Sequence, residues 1–427
     1  MVGLIIFDLD NTLVASNAIE HLRGPGYINN ESAEYASQIA AALKLNFPDL
    51  LAPVKKLIPE DFILGLKADI PDLKIAVLSI APRHYVRTIL AHRYPNIQWD
   101  AIVGYEDVPS GEHKPHPAGI FLAGEMCGCM QLDPHQVMIV GDSYRDVTAG
   151  YRAGIRTVLF TGGWEDTDYQ AINLLPDAHV KSLDNLKAAI LFPEQKLLVA
   201  EACHSQVNVA DGAIRAPKIA HFCNLEKVAG KPAPKVSVFT LGRLFAEYDN
   251  VALRRQWHTF TDEIHQHKNS TVFPASWGHA IRMAVGKAVE CYREELESGA
   301  LSLVMTCIPA KPGRDPRLES FINQLWQEHV ASARFSFAVR YDWAILAYLP
   351  GALSHHGEHL NATQRFENVR DHLIVSPAAN VERSIVVVID DVVTSGATLY
   401  YADKYLRNRG AHDVVCVALA QAIGYSI

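Results

Sequence analysis

Two stretches of this chain set paired or alternate carboxylates just past short apolar runs, where they could serve a bound anion's neighbours or a magnesium ion. In Ser384 to Thr398 (SIVVVIDDVVTSGAT), Asp390 and Asp391 follow an apolar run and precede a small, hydroxyl-rich loop, Thr394-Ser395-Gly396-Ala397-Thr398. Backbone N–H groups of Ser395, Gly396, Ala397 and Thr398 can converge on one anion, helped by the N-terminus of a following helix. The two adjacent acids cannot serve that anion, because like charges repel. They suit its neighbours: sugar hydroxyls that donate hydrogen bonds, or a hydrated magnesium ion. Near the N-terminus, Asp8-Leu9-Asp10-Asn11-Thr12 sets alternate acids just past another apolar run. Such acids can share one magnesium while one of them faces substrate as a nucleophile. Farther on come Ser79, Lys114 on the proline-stiffened loop His113-Lys114-Pro115-His116-Pro117, and Asp142 and Asp146 in GDSYRD.

The elements that must carry these residues are short strands ending at one sheet edge. Ile385 to Ile389 is mostly β-branched and too short for a typical helix, so a strand buried on both faces is expected, ending at the two acids. A helix of mixed polarity should follow, roughly Leu399 to Arg409, closed by Gly410. Leu4–Phe7, Ile75–Leu78, Val137–Val140 and Thr157–Phe160 read as strands of a first domain, and Leu301–Ile308 as a strand of a second. Ligands of open α/β sheets bind beyond the carboxyl ends of such strands. Residues 14–70 read as helical, with an alanine-rich helix over Ser32 to Leu45 and breaks near Pro48, Pro53 and Pro59. Ile281 to Glu295 has helical spacing of apolar residues.

The contiguous run Val386 to Thr398, VVVIDDVVTSGAT, resembles the phosphoribosyl-pyrophosphate (PRPP) motif of type I phosphoribosyltransferases. The resemblance implies that Asp390 and Asp391 hold the ribose hydroxyls and that Thr394 to Thr398 cradle the 5′-phosphate. It also implies that the loop Pro309 to Arg314 receives pyrophosphate, for which Lys311 and Arg314 supply cations. Asn361 to Arg370 is loosely similar to the Q-x-x-R-x-x-N region of ComF-like members, and Phe321 to Gln324 to their asparagine–glutamine pair. On that likeness Arg365 and Arg370 are candidates for a mobile flap over diphosphate, and Tyr348 to His359 for a substrate-facing insertion.

In their order and separations, the four N-terminal motifs resemble those of haloacid dehalogenase (HAD) superfamily phosphatases. The resemblance implies Asp8 as nucleophile and Asp10 as general acid, then base. Ser79 and Lys114 would hold phosphoryl oxygens, and magnesium would sit among Asp8, Asp10, Asp142 and Asp146. A phosphoryl group in transfer spreads charge over its oxygens, so cations must flank it. Residues 14–70 occupy the place of a small cap, on which His21 and Arg23 are polar candidates for substrate selection.

Composition bounds the rest. A length of 427 residues allows two to four domains, and 49% hydrophobic with 20% charged residues is ample for sizeable cores. A net charge of −8 gives no electrostatic case for a broad nucleic-acid surface. Seven unevenly spaced cysteines fit reduced thiols of a cytoplasmic chain rather than a disulfide framework. The chain opens directly into a strand, so no secretory signal is expected, and no apolar run is long enough to span a membrane. Cys203, His204, His221 and Cys223 could close a zinc site, although their spacing matches no common finger. Cys127-Gly128-Cys129 is too closely spaced for a redox pair and reads as packing.

The expectation is therefore two α/β domains: a HAD hydrolase Rossmann-like domain over 1–192 with its helical cap, and a type I, ComF-like phosphoribosyltransferase domain over 236–427. Residues 193–235 are the connector. The expected activity is phosphoribosyl transfer from PRPP to an unidentified acceptor, with the HAD domain hydrolysing the phosphate of the product or a related nucleotide. The alternative is a PRPP-sensing effector, stress- or phage-defence-associated, with phosphatase output and no transfer. Partners are small molecules with magnesium, without membrane or nucleic acid, and an oligomer is compatible with both readings.

Overall fold

Alternation along Leu4-Ile5-Ile6-Phe7 shows how the first sheet is built. All four residues are buried: Ile5 and Phe7 pack into one apolar cluster and Leu4 and Ile6 into another. A strand with cores on both faces must be central, and it pairs in parallel with Lys74–Leu78 on one side and Val137–Gly141 on the other. In the computed structural model the sheet has six strands, all parallel, in the order Ala101–Val103, Lys74–Leu78, Leu4–Phe7, Val137–Gly141, Arg156–Phe160, Ala178–Val180. Described residues are 2–23, 32–44, 55–162, 169–208, 214–221, 225, 227–228, 231–232, 236–332, 335–353 and 361–424. Within residues 14–70, the helices Ala33–Lys44 and Glu60–Asp69 and a short 3-10 helix, Asn17–Arg23, are in place.

The chain folds as two units. The first comprises Met1–Lys196 together with Phe245–His258, a piece drawn from within the residues expected to form the second domain. In this unit Arg254 is 1% exposed at its side chain and its Nη2 donates to Asp177 Oδ1 at 2.5 Å. Its Nη1 donates to the Ile155 carbonyl at 2.9 Å, and the guanidinium lies 3.8 Å from the Trp257 ring centroid.

The second unit comprises Leu197–Leu244 with Thr259–Tyr425. Its main sheet runs Val339–Tyr341, Ser302–Cys307, Ser384–Val393, Asp413–Ile423, Val236–Thr240, Lys218–His221. All neighbours along this order are parallel except the last pair. Ile385, Val387 and Ile389 face one apolar cluster and Val386 and Val388 the other. This central strand continues through Asp390 and Asp391 to Val393, because Asp390 and Val392 still pair with Ala418 and Ala420 of the longer neighbouring strand. The helix behind it spans Ala397–Asn408. The 281–295 segment is not one helix: Ala275–Ala288 starts earlier, and Arg293–Glu297 is separate.

Residues expected as a connector are integral to this unit. Helix Val199–His204 carries Glu201, which accepts from Arg243 N, Nε and Nη2 at 3.0, 2.8 and 2.7 Å in a fully buried pair. Lys218–His221 adds the antiparallel edge strand. A pattern this short carries no periodicity from which to read its place in a sheet.

Candidate active sites

In the first unit, the carboxyl ends of three adjacent strands converge. Leu4–Phe7 delivers Asp8, whose N–H donates to the Val140 carbonyl at 2.9 Å, and Val137–Gly141 delivers Asp142. Lys74–Leu78 delivers Ser79, which is 2% exposed. Lys114 reaches in from its loop, donating to Asp8 Oδ1 at 2.5 Å, Asp146 Oδ1 at 2.6 Å and the Leu78 carbonyl at 3.0 Å. The other oxygen of Asp146 accepts from Ser143 N at 3.2 Å and Ser143 Oγ at 2.6 Å, at the start of helix Tyr144–Arg152. Gly141 is required here: a Cβ would lie 2.2 Å from Asp146 Cγ. The Thr12 hydroxyl lies 3.5 Å from both Asp8 Oδ2 and Asp142 Oδ1.

Carboxylate oxygens of Asp8, Asp142 and Asp146 lie within 4.8 Å of one another. Three acids facing one lysine leave an excess of negative charge, and hard oxygen donors suit magnesium. Burial, with the neighbouring acids, pushes Asp8 up to about 7 and Asp142 up to about 8, Lys114 opposing both. Lys114 itself is raised by Asp146 and Asp8, against its burial. Asp10 does not join the three. Its Oδ2 meets Arg23 Nη2 at 2.9 Å and Ser79 Oγ at 3.5 Å, and its Oδ1 accepts from Tyr85 OH at 3.3 Å. Arg23, read from sequence only as a polar residue of the cap region, thus sits on the acid. Tyr85 escaped the sequence reading, since an aromatic in a helix with buried apolar neighbours carries no separate signal.

In the second unit, the loop after Ser384–Val393 turns sharply at Gly396, with φ +72°. A Cβ at this position would lie 2.5 Å from His221 Cβ, so the edge strand Lys218–His221 walls the loop. Burial pushes His221 down to about 4, and its imidazole is neutral. The N–H of Ala397 donates to Ser395 Oγ at 3.4 Å, Thr394 is exposed, and Thr398 hydrogen-bonds with Tyr348. Asp391 Oδ2 accepts from Arg317 Nη1 at 3.2 Å. Arg317 is fixed further by the Ser270 and His267 carbonyls at 3.3 and 2.9 Å. Burial and Asp391 raise the Asp390 carboxyl well above the usual range. Lys311 lies near enough to Asp390 to feel its charge, and its ammonium donates to the Leu353 carbonyl at 2.6 Å. Arg314 is exposed on the same loop.

Sequence reasoning missed Arg317, which stands 74 residues from its acid with no local mark. The expected flap is a helix, Ala362–His372: Asn361 and Gln364 exchange capping bonds of 2.9 Å each, and Arg370 pairs with Asp371. Asn368 holds Leu353 by its N–H and carbonyl at 2.9 and 3.1 Å, and Gln324 holds Phe273 in the same manner. Residues 354–359 of the expected insertion lie outside the described residues, as does Cys223 of the expected zinc set. His204 has one ring nitrogen 3.0 Å from Glu263 and the other 3.1 Å from Thr259. His221 packs against Gly396 of the loop after Ser384–Val393. Among the described residues, the acidic trio is the set with metal-holding geometry. Cys127 and Cys129 carry raised thiols, chiefly through burial.

The first unit thus ends a parallel sheet in a lysine-bridged acidic trio, and the second ends its sheet in a paired-acid strand and a small-residue loop. Residues 63–160 match the haloacid dehalogenase-like hydrolase family, and residues 347–425 match the phosphoribosyl transferase domain family. The chain is a fusion of these two kinds of domain, both of enzymatic families. It is 33% identical over 90 residues to the phosphoglycolate phosphatase of Haemophilus influenzae strain Rd, covering 21% of this chain and 38% of that protein. It is 28% identical over 136 residues to the phosphoglycolate phosphatase of Mannheimia succiniciproducens, covering 31% and 56%. The chain thus spans about four- to six-tenths of the lengths of these curated relatives. Among solved structures it is similar to a haloacid dehalogenase-like protein from Agrobacterium tumefaciens, at 18% identity and a TM-score of 0.32, covering 45% of this chain and 98% of that one. No described helix is long and apolar enough to cross a membrane.

Proposed function

We propose that the protein is a bifunctional enzyme that transfers a phosphoribosyl group from PRPP to an acceptor and then removes the 5′-phosphate of the product. The observation that carries this reading is that each unit ends its sheet in one half of the chemistry: the Asp8–Lys114–Asp146 cluster, and the Asp390–Asp391 strand with the Gly396 loop. In the transfer step, the C1′–oxygen bond to pyrophosphate breaks, and a C1′–acceptor bond forms. Asp390 and Asp391 orient the ribose hydroxyls, the loop Thr394–Thr398 takes the 5′-phosphate, and Lys311 and Arg314 stabilise the departing diphosphate. The acceptor's proton passes to solvent.

In the hydrolytic step, an Asp8 oxygen attacks phosphorus and the ester oxygen leaves with a proton from Asp10. Water then cleaves the aspartyl-phosphate, and Asp10 takes the water's proton. Lys114 and Ser79 bind phosphoryl oxygens, and Thr12 and Ser143 hold the acids in place. Asp8, Asp142 and Asp146 would hold magnesium, which when bound offsets the repulsion between two anions. The active chain is expected in the cytoplasm, where PRPP and reduced thiols occur together.

The Asp8→Asn variant tests the order of steps. Given PRPP, magnesium and a panel of nucleobases, it should release pyrophosphate and accumulate a ribosylated product with its phosphate attached. Wild type should yield the dephosphorylated riboside and free phosphate, distinguishable by mass spectrometry. If the variant's product already lacks phosphate, or wild type never removes it, the two domains serve separate substrates. Tight PRPP binding without acceptor-dependent pyrophosphate release would replace transfer by sensing.

A further inference from the structure

Away from the Gly396 loop, the second unit holds a cavity of about 660 Å³ between helix Ala275–Ala288 and Phe335–Phe337. That is a volume typical of small-molecule sites, ~300–1,000 Å³. One wall is aromatic: the Phe335 and Phe337 rings stack with centroids 5.4 Å apart and planes inclined 28°. Facing them are Arg282, Met283 and Gly286, with Lys287 on the rim. Arg293 also lines the opening, but it is paired with Glu290 at 2.6 Å.

Arg282 is the telling residue. Its side chain is 9% exposed and one guanidinium nitrogen, Nη1, is bound to Glu328. Its Nε is buried and has no hydrogen-bond partner among the described residues. Behind the lining residues, the Tyr341 hydroxyl and His329 Nδ1 are likewise buried without partners among the described residues. The His329 ring lies 5.7 Å from that of Tyr341 and 5.8 Å from that of Phe335. A buried donor without an acceptor is a cost that folding ordinarily avoids, and its usual explanation is a ligand or water that it serves. An arginine fork suits phosphate or carboxylate, and a phenylalanine face suits a flat ring.

We propose that this cavity is a second small-molecule site, taking a flat aromatic ring that bears an anionic group, as a nucleoside monophosphate does. It is distinct from the PRPP loop. Helix Arg317–Ser332 begins with the arginine that binds Asp391, and Glu328, the partner of Arg282, lies about 16 Å farther along it. The site thus goes beyond the transfer and hydrolysis proposed above, and holds whether or not those are correct.

Gly286 supplies the sharpest test. It lies in a helix, and the nearest atom a Cβ would meet is Phe335 Cε1 at 4.0 Å. Gly286→Leu should therefore fill the cavity while favouring the helix. Calorimetric titration with AMP, GMP, CMP and UMP should show at least one of them binding to the full-length protein. Adenosine alone and inorganic phosphate alone should bind about tenfold more weakly than AMP if AMP is the nucleotide taken, and the matching nucleoside likewise for the others. Gly286→Leu and Phe337→Ala should each weaken that nucleotide about tenfold or more in titrations run with saturating PRPP, which occupies the Asp391 strand end. No binding by any of the four, undiminished binding in both cavity variants, or loss of all nucleotide binding when PRPP is saturating would overturn the proposal. A Gly286→Leu chain that melts below wild type leaves Phe337→Ala to decide the matter by the same criterion.

Discussion

Arg254→Met should destabilise the phosphatase-like unit even though residue 254 lies deep in the second half of the chain. The wild-type guanidinium bonds to Asp177 Oδ1 at 2.5 Å and to the Ile155 carbonyl at 2.9 Å. Asp177 keeps its other oxygen on Thr157 N and Oγ1, at 2.8 and 3.2 Å. Both side chains of the pair are buried. Methionine fills part of the volume but leaves the Asp177 charge uncompensated, a loss of about 3–5 kcal/mol. For a unit of this size that corresponds to a melting shift of about 6–20 °C. Thermal inactivation of phosphomonoester hydrolysis, followed alongside circular dichroism, measures it. Adding Asp177→Asn should recover part of the loss, since the amide oxygen can still accept from Thr157 without a buried charge. A chain cut after Lys196 should be less stable for the same reason, lacking also the Trp257 Nε1 bond to the Gly154 carbonyl at 2.7 Å. An Arg254→Met protein that melts within about 2 °C of wild type, with no relief from Asp177→Asn, refutes the reasoning.

Asp391→Ala should weaken PRPP binding by about 1.5–3 kcal/mol, roughly 10- to 150-fold by calorimetry, through loss of a charged hydrogen-bond acceptor; unchanged affinity would make the strand end merely structural. Gly396→Ala should abolish measurable PRPP binding, because φ +72° disfavours any side chain and the new Cβ would strike His221. Adding His221→Gly should restore it only in part, and full restoration would show that backbone strain is irrelevant. Metal removal should be pH-dependent. Asp8 and Asp142, near 3.9 when unfolded, are raised to about 7 and about 8, mainly by burial, so the folded metal-free chain binds more protons. Their contribution is therefore full below pH ~4 and lost as pH rises through ~7 to ~8. Melting after chelation should fall over that range and magnesium should restore more at the alkaline end; a flat profile would count against buried, proton-holding acids.

Much of both sites was legible because strand-end chemistry is local. Asp8, Ser79, Asp142 and Asp390 each follow an apolar run, and a parallel sheet brings the ends of such runs to one edge whatever the intervening loops contain. Lys114 was legible only through its place among the other motifs. Arg23 and Arg317 were not legible in their present roles. A long cation's partner is set by where its helix packs, and Arg317 meets an acid 74 residues away.

The sequence by itself determined the short apolar strands of two α/β domains and the acids and small residues at their ends, all of which are marked by patterns within a few residues. Tertiary structure alone decided the rest. It extended the acid-bearing strand to Val393, since a longer neighbour offered pairing partners. It set His221 against Gly396, placed Lys218–His221 of the expected connector in a sheet, and drew Phe245–His258 into the first unit. Each of these follows from which buried charges and apolar faces find partners, as Arg254 finds Asp177, and such pairings depend on distance in space rather than along the chain.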